Sequence, residues 1–402
     1  MMRCGIVVDN ELNSDVRVLR EIGILREQGF EIFVLCFGFR KLYSNPLPGI
    51  SITRITIPRK IKDFLFFMLN TIPAYEWIWA ARIKKFIISN NVEVLHAHDL
   101  YMARAAFNGI KNSKKNIPLI LDLHENYPFT VTTYNWTKGV LRSIISRPEL
   151  WKKKERKYLE FADRIIVLSP DFRDLLTSRY PALSPSRFVV LPNVPDLSRV
   201  SLKSNNVVKS PFRQDFPVIF YYGVIAERRG VFDSLEVFKN LIKENYQANF
   251  LLIGPADKKD KPYFLKLINN ELFAGKVHYI PWINPSELFD YLKISDICIA
   301  PFHKNPQHES GVANKIYDYM LGGKPIIASN CKPQKELIEK HRCGLIFENT
   351  AEFHDIIVWL LNDRPLREEM GKNGRSAIME KYNTEIVKDN LILLYNTVIF
   401  KH

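Results

Sequence analysis

The densest run of chemistry-bearing residues is HESGVANKIYDYMLGGKPIIAS, residues 308–329. Ser310 and Gly311 are helix-capping types. A helix that starts there and runs to about Leu321 leaves the backbone N–H groups of Gly311, Val312 and Ala313 without intrahelical acceptors. A start of that kind attracts phosphate. Asn314 and Asp318 lie four apart and share a face, while Ile316, Tyr319 and Met320 can pack inward. From that face the Asp318 carboxylate is suited to accept two hydrogen bonds from ribose hydroxyls. The plain alternative is a capped core helix with no ligand.

Three other clusters carry comparable chemistry. In YGVIAERRG, residues 222–230, a short apolar run ends in a glycine turn holding Arg228 and Arg229. Guanidinium groups fixed at such a turn can meet a departing diphosphate with bidentate, charge-assisted bonds, although a double arginine is also a common solvated surface feature. In DNELNSDVR, residues 9–17, Asp9, Asn10 and Glu11 are candidates for substrate contact, while Ser14 and Asp15 can cap the helix that follows. This loop lacks G-x-G-x-x-G, which disfavours nicotinamide and flavin. The third cluster pairs HAHD, with His98 and Asp99, and DLHEN, with His124 and Glu125. Alternating histidines invite a metal, but no third ligand has suitable spacing and the chain has no D-x-D, so no metal and no cofactor are expected.

These clusters need elements to position them. A strand over residues 4–8, a helix over 15–28 and a strand over 31–37 open the chain, with Gly29 where a helix C-cap belongs. Apolar runs at 92–97, 118–123, 164–168 and 188–191 continue the alternation, as in a parallel sheet with crossover helices. Residues 196–216 are polar and aperiodic and read as a linker. A second series follows at 217–222, 249–253, 277–280, 297–300 and 325–328. The fold class expected is α/β: two doubly wound, Rossmann-like domains over residues 1–198 and 199–383, facing a central cleft, with ligands at the carboxyl ends of the strands.

Composition agrees with that division. A chain of 402 residues with 47% hydrophobic and 25% charged residues suits two globular domains. The five cysteines show no metal or disulfide spacing, and the start has no signal-peptide pattern, so a cytoplasmic location is expected. Residues 1–200 hold 30 basic and 19 acidic groups, against 27 and 24 in the remainder. A basic first half can serve nucleic acid, anionic lipid or a phosphorylated substrate. No nucleic-acid-binding module is recognisable. Residues 64–81 are apolar but interrupted by Asn70, Thr71, Pro73 and Glu76 and flanked by Lys60, Lys62, Arg82, Lys84 and Lys85. That pattern fits either core helices or an interfacial segment beside an anionic membrane.

The chain resembles the retaining glycosyltransferases of family 4, also called glycosyl transferases group 1, through Gly323-Lys324-Pro325-Ile326-Ile327-Ala328 and the helix before it. The family's mark has two acids separated by seven residues. Asp318 stands at the second position, Ser310 at the first, with Glu309 displaced by one. The resemblance implies a GT-B fold and assigns ribose binding to Asp318 and sugar contact to Glu309. It places Arg229, with Arg228 compensating for Val224, on the diphosphate near Gly223. The loop at Pro281 and Ile283 is where relatives hold the base. His124, beside Glu125, is assigned to the reacting centre, and the final helix, about 384–402, to the first domain.

The implied activity is transfer of a sugar from a nucleoside-diphosphate sugar to a glycan or lipid-linked acceptor, with retention. Cell-surface polysaccharide or glycolipid assembly is the expected setting, with peripheral contact at the inner membrane face. Retaining members need no enzyme nucleophile, and the leaving diphosphate can take the acceptor's proton. The rival readings are a sugar-nucleotide epimerase of similar shape and an inactive sugar-nucleotide binder.

Overall fold

The computed structural model describes residues 2–39, 47–195, 197, 208–213 and 215–399. The chain divides into two compact units: Met1–Pro192 with Val387–His402, and Asn193–Ile386. Most of the polar stretch read as the linker lies outside the described residues.

The first unit is built on a seven-stranded parallel sheet. In chain order its strands are β1 (Arg3–Val7), β2 (Glu31–Gly38), β3 (Ser51–Thr56), β4 (Val94–His98), β5 (Leu119–Asp122), β6 (Arg164–Val167) and β7 (Phe188–Val190). Their spatial order is β3-β2-β1-β4-β5-β6-β7. The order reverses beside β1, and a doubly wound sheet presents a crevice at such a point. β1, β4 and β5 are buried along nearly their whole length, as central strands of a sheet covered on both faces are. β3 had no counterpart in the sequence reading. It is an edge strand in which Ile55 is the buried residue.

The second unit repeats the plan with β8 (Val218–Tyr222), β9 (Asn249–Ile253), β10 (Val277–Ile280), β11 (Ile297–Ala300), β12 (Ile326–Ser329) and β13 (Gly344–Phe347). All pair in parallel, in the order β10-β9-β8-β11-β12-β13. Each sheet carries its own hydrophobic cluster. Trp79, Trp151 and Tyr158 anchor the first, and Phe238, Phe250 and Phe264 the second.

The apolar stretch 64–81 is divided between helices Arg59–Phe67 and Ala74–Ser89. Tyr75, Trp79 and Ala80 enter the core. Among the described residues no helix is long and apolar enough to cross a membrane. The last helix, Thr384–Ile399, buries Tyr395 in the first unit, with its hydroxyl 3.3 Å from Cys4 Sγ and 2.9 Å from His96 Nδ1.

Candidate functional site

In the first unit the ends of β1, β4 and β5 border a cavity of about 320 Å³ whose wall includes Asp9, Asn10, Asp15, Phe39, Arg59, Lys62, Asp99, Tyr101 and His124. Asp9 is buried, accepts the Tyr75 hydroxyl, and lies 3.4 Å from Lys62 Nζ. Burial raises its carboxyl to about 6 against the pull of Lys62 and Tyr75. Asp99 has φ +73, a backbone setting that L residues rarely adopt, and it holds Tyr101 Oη at 2.9 Å. Strain of that kind gathers at functional positions. Asp15 caps the helix Val16–Glu27 by accepting from Val18 N.

Behind the cavity lies a buried ion network. Arg17 meets both oxygens of Asp122, at 2.8 and 3.0 Å, and Glu21 at 3.1 Å. Asp122 in turn faces His98 and His124 at 3.5 and 3.4 Å, and the two imidazoles are 3.0 Å apart. Burial opposes charge on both Asp122 and His124. Arg17 and His124 nevertheless hold Asp122 well below the usual carboxylate range, and Asp99 with Asp122 raises His124 to about 9. His124 is therefore an imidazolium at neutral pH, a hydrogen-bond donor at the cavity wall.

Glu21, His96, His98 and Asp122 bring ligand-type atoms within 4.8 Å of one another. Arg17 already supplies these carboxylates with the positive charge that a metal cation would bring.

Three expectations for this unit change. His98 is 1% exposed, so it backs His124 rather than meeting an acceptor. The burial of β4 to its last residue is the reason. Glu11 accepts from Phe39 N at 3.1 Å and does not line the cavity. Glu125 also stands apart from that wall and takes the Tyr134 hydroxyl at 3.0 Å from each oxygen. Burial, with Asp99 adding, raises Glu125 to about 7.

In the second unit the turn after β8 holds Gly223 at φ +134, and Gly230, at φ +69, starts the helix Val231–Lys243. A Cβ on Gly230 would lie 1.6 Å from the Pro301 carbonyl oxygen, so the position admits only glycine. This close approach brings Arg229 over Phe302, with Cζ 5.3 Å from the ring centroid. Arg229 Nη1 is 3.5 Å from His308 Nε2. His308 Nδ1 lies 2.8 Å from the His303 carbonyl, which can only accept, so Nδ1 carries the proton and Nε2 offers Arg229 a lone pair. Burial holds His308 down to about 4, and the neutral ring steadies the guanidinium without neutralising it. Arg228 instead reaches Asp257 at 3.3 Å, so compensation for Val224 is not what its geometry favours.

The helix that carries Asp318 is Asn314–Leu321, with Ala313 as N-cap. It begins later than expected because Ser310 Oγ donates back to the Pro306 carbonyl at 2.5 Å instead of capping. Gly311 and Val312 lie in the connecting loop. Glu309 accepts from Lys332 N at 2.9 Å, which ties it to the start of the helix Lys332–His341. Asp318 is buried at 7% exposure, and Asn314 Oδ1 accepts from Asn193 Nδ2 at 3.1 Å. Pro281 is exposed just after β10 and Ile283 is buried, while Trp282 between them is 70% exposed. Sequence reasoning missed His308 and Lys315. The available signal for the second was a lysine within the inward-facing pattern of this helix.

The family model described as Glycosyltransferase Family 4 matches residues 16–199, and the model described as Glycosyl transferases group 1 matches residues 203–377. The chain belongs to the family 4 glycosyltransferases. This transferase is 22% identical over 368 residues to the alpha-D-kanosaminyltransferase of Streptomyces kanamyceticus, covering 89% of each chain. It is 26% identical over 191 residues to the capsular polysaccharide biosynthesis glycosyltransferase CapM of Staphylococcus aureus, covering 45% of this chain and 46% of that one.

Among solved structures, the sucrose-phosphate synthase of Thermosynechococcus elongatus aligns with TM-score 0.77 at 16% identity over 100% of both chains. Anabaena HepE in complex with UDP aligns with TM-score 0.69 at 12% identity, over 99% of this transferase and 100% of that chain. The fold is GT-B, and the family membership favours transfer over the epimerase and inactive-binder readings.

Proposed function

We propose that this transferase moves a sugar from a nucleoside-diphosphate sugar, bound by the second unit, to a glycan or lipid-linked acceptor that engages the cavity of the first. The reaction proceeds with retention of anomeric configuration, needs no metal or other cofactor, and serves cell-surface polysaccharide or glycolipid assembly. The observation that carries the reading is Arg229, fixed over Phe302 and steadied by neutral His308 at the turn after β8. A guanidinium preorganised there stabilises charge as it develops on a leaving diphosphate.

Asp318 takes the ribose, the loop at Pro281 and Ile283 takes the base, and the imidazolium of His124 positions the reacting centre. HepE is described in complex with UDP and with UDP-glucose, which favours a uridine nucleotide. Thermal-shift titration against UDP-, GDP- and ADP-sugars, followed by product analysis with and without a sugar acceptor, tests the reading. Donor-dependent stabilisation and a glycosylated product that survives a chelator are expected. Absence of stabilisation by every donor counts against it.

Peripheral contact with an anionic membrane belongs to the same reading. Val140, Leu141 and Ile144 are 81%, 71% and 63% exposed on the helix Val140–Ser146, and Phe64 is 61% exposed. Asn70 donates to the Ser146 carbonyl, and Trp136 packs on Phe66 and Phe67, so these apolar groups belong to one stitched region. Residues 136–148 contain Lys138, Arg142 and Arg147 and no acid. An apolar tip ringed by cations suits an anionic bilayer. Vesicles containing phosphatidylglycerol should sediment the protein at low salt, and Leu141→Asp with Ile144→Asp should abolish this. Equal binding by the double variant removes the surface from the proposal.

A further inference from the structure

Lys315 lies on the helix Asn314–Leu321 and is 9% exposed. Its Nζ sits 3.6 Å from the centroid of Tyr221 and 5.1 Å from that of Phe302, the ring that Arg229 also covers. Among the described residues Nζ has no hydrogen-bond partner and no carboxylate pairs with it. A buried cation without an anion is costly. Burial, reinforced by the charge of Arg229, accordingly pushes its pKa well below the ordinary lysine value.

A Cβ added to Gly223, at φ +134, would come within 3.0 Å of Lys315 Nζ, so glycine there lets the backbone of the turn lie beside the amine. Two cationic side chains flanking one aromatic ring, with neutral His308 as the nearby titratable group, form a place that lacks negative charge. Asp257 is engaged by Arg228, and Glu309 by the Lys332 amide.

We infer that Lys315 is an anion-binding residue whose ammonium, with the Arg229 guanidinium and the backbone at Gly223, holds the diphosphate of the donor. The inference rests on the reading of the second unit as the donor-binding unit and adds a residue to it. The anion supplies the missing counter-charge and favours the ammonium form, so ligand binding and lysine protonation reinforce each other. The aromatic faces of Tyr221 and Phe302 lie against the ammonium and help to hold it in place.

Lys315→Met and Lys315→Gln in the full chain test this by thermal melting and calorimetry with UDP and with inorganic pyrophosphate as probes. Removing a buried, unpaired amine should leave the ligand-free melting temperature of Lys315→Met at or above that of the unaltered protein. Affinity for both probes should fall roughly tenfold or more in each variant, the scale of one charge-assisted bond.

Variants that bind both probes as tightly as the unaltered protein overturn the inference and leave the donor reading intact. An unaltered protein that binds none of UDP, GDP and ADP overturns the donor reading, and this inference with it. Variants that melt well below the unaltered protein yet keep its affinity assign the lysine to packing and also overturn it.

Discussion

Replacing Arg229 with alanine is expected to lower kcat/KM for sugar transfer by roughly a hundredfold, about 3 kcal/mol in the barrier, the scale of one preorganised donor. The guanidinium is fixed by Phe302 and by neutral His308, so it loses little freedom when charge develops on the leaving group. If its role is confined to that moment, kcat falls with kcat/KM and the KM for donor changes little. A raised KM with unchanged kcat would instead assign Arg229 to ground-state binding alone. Asp318→Ala should cost roughly tenfold or more, over 1 kcal/mol, and should act on nucleotide affinity, because a carboxylate on ribose grips ground state and transition state alike. Unchanged kcat/KM in both variants would remove the basis for the site.

Asp122→Ala should destabilise the first unit by about 3 kcal/mol, because the buried Arg17 guanidinium then loses its two-oxygen partner and keeps Glu21 as its ion pair among the described residues. The pH dependence has a defined sign. Asp122 titrates well below the ordinary carboxylate value in the folded protein, so its contribution is complete above about pH 4 and is lost as pH falls through the folded value. His124 is raised to about 9. Its contribution is complete below about pH 6.5 and disappears as pH rises through 9. Melting temperatures between pH 6 and 9.5 should therefore decline in the unaltered protein and decline less in Asp122→Asn, where His124 has lost one of its two carboxylate neighbours. A parallel decline in both would show that Asp122 does not support the charge on His124.

The central strands were readable because burial on both faces forces unbroken apolar runs, as in β8 and β11. β3 escaped notice because an edge strand with Ile55 buried has no such run. Around the site, residue type was legible while direction was not. Ser310 is a capping residue by chemistry, yet its hydroxyl donates backwards to Pro306. Glu309 reads as a sugar contact by type, and an amide 23 residues downstream donates to one of its oxygens. His98 and His124 look equivalent in sequence, and only the packing around the end of β4 sends one inward and leaves the other at the cavity wall. His308 and Lys315 matter through Arg229 and Gly223, which are far away along the chain, and no local pattern encodes such neighbours.

The return of the final helix to the first unit imposes an order on biosynthesis. Cys4 and His96 are covered by Tyr395, which is synthesised after the whole of the second unit. The second unit, Asn193–Ile386, is synthesised in full before that cover exists. A nascent chain emerging in order from its N-terminus can therefore complete the later unit first. A translation product that stops short of Tyr395 would carry a finished second unit beside a first unit whose opening strand still has a bare flank.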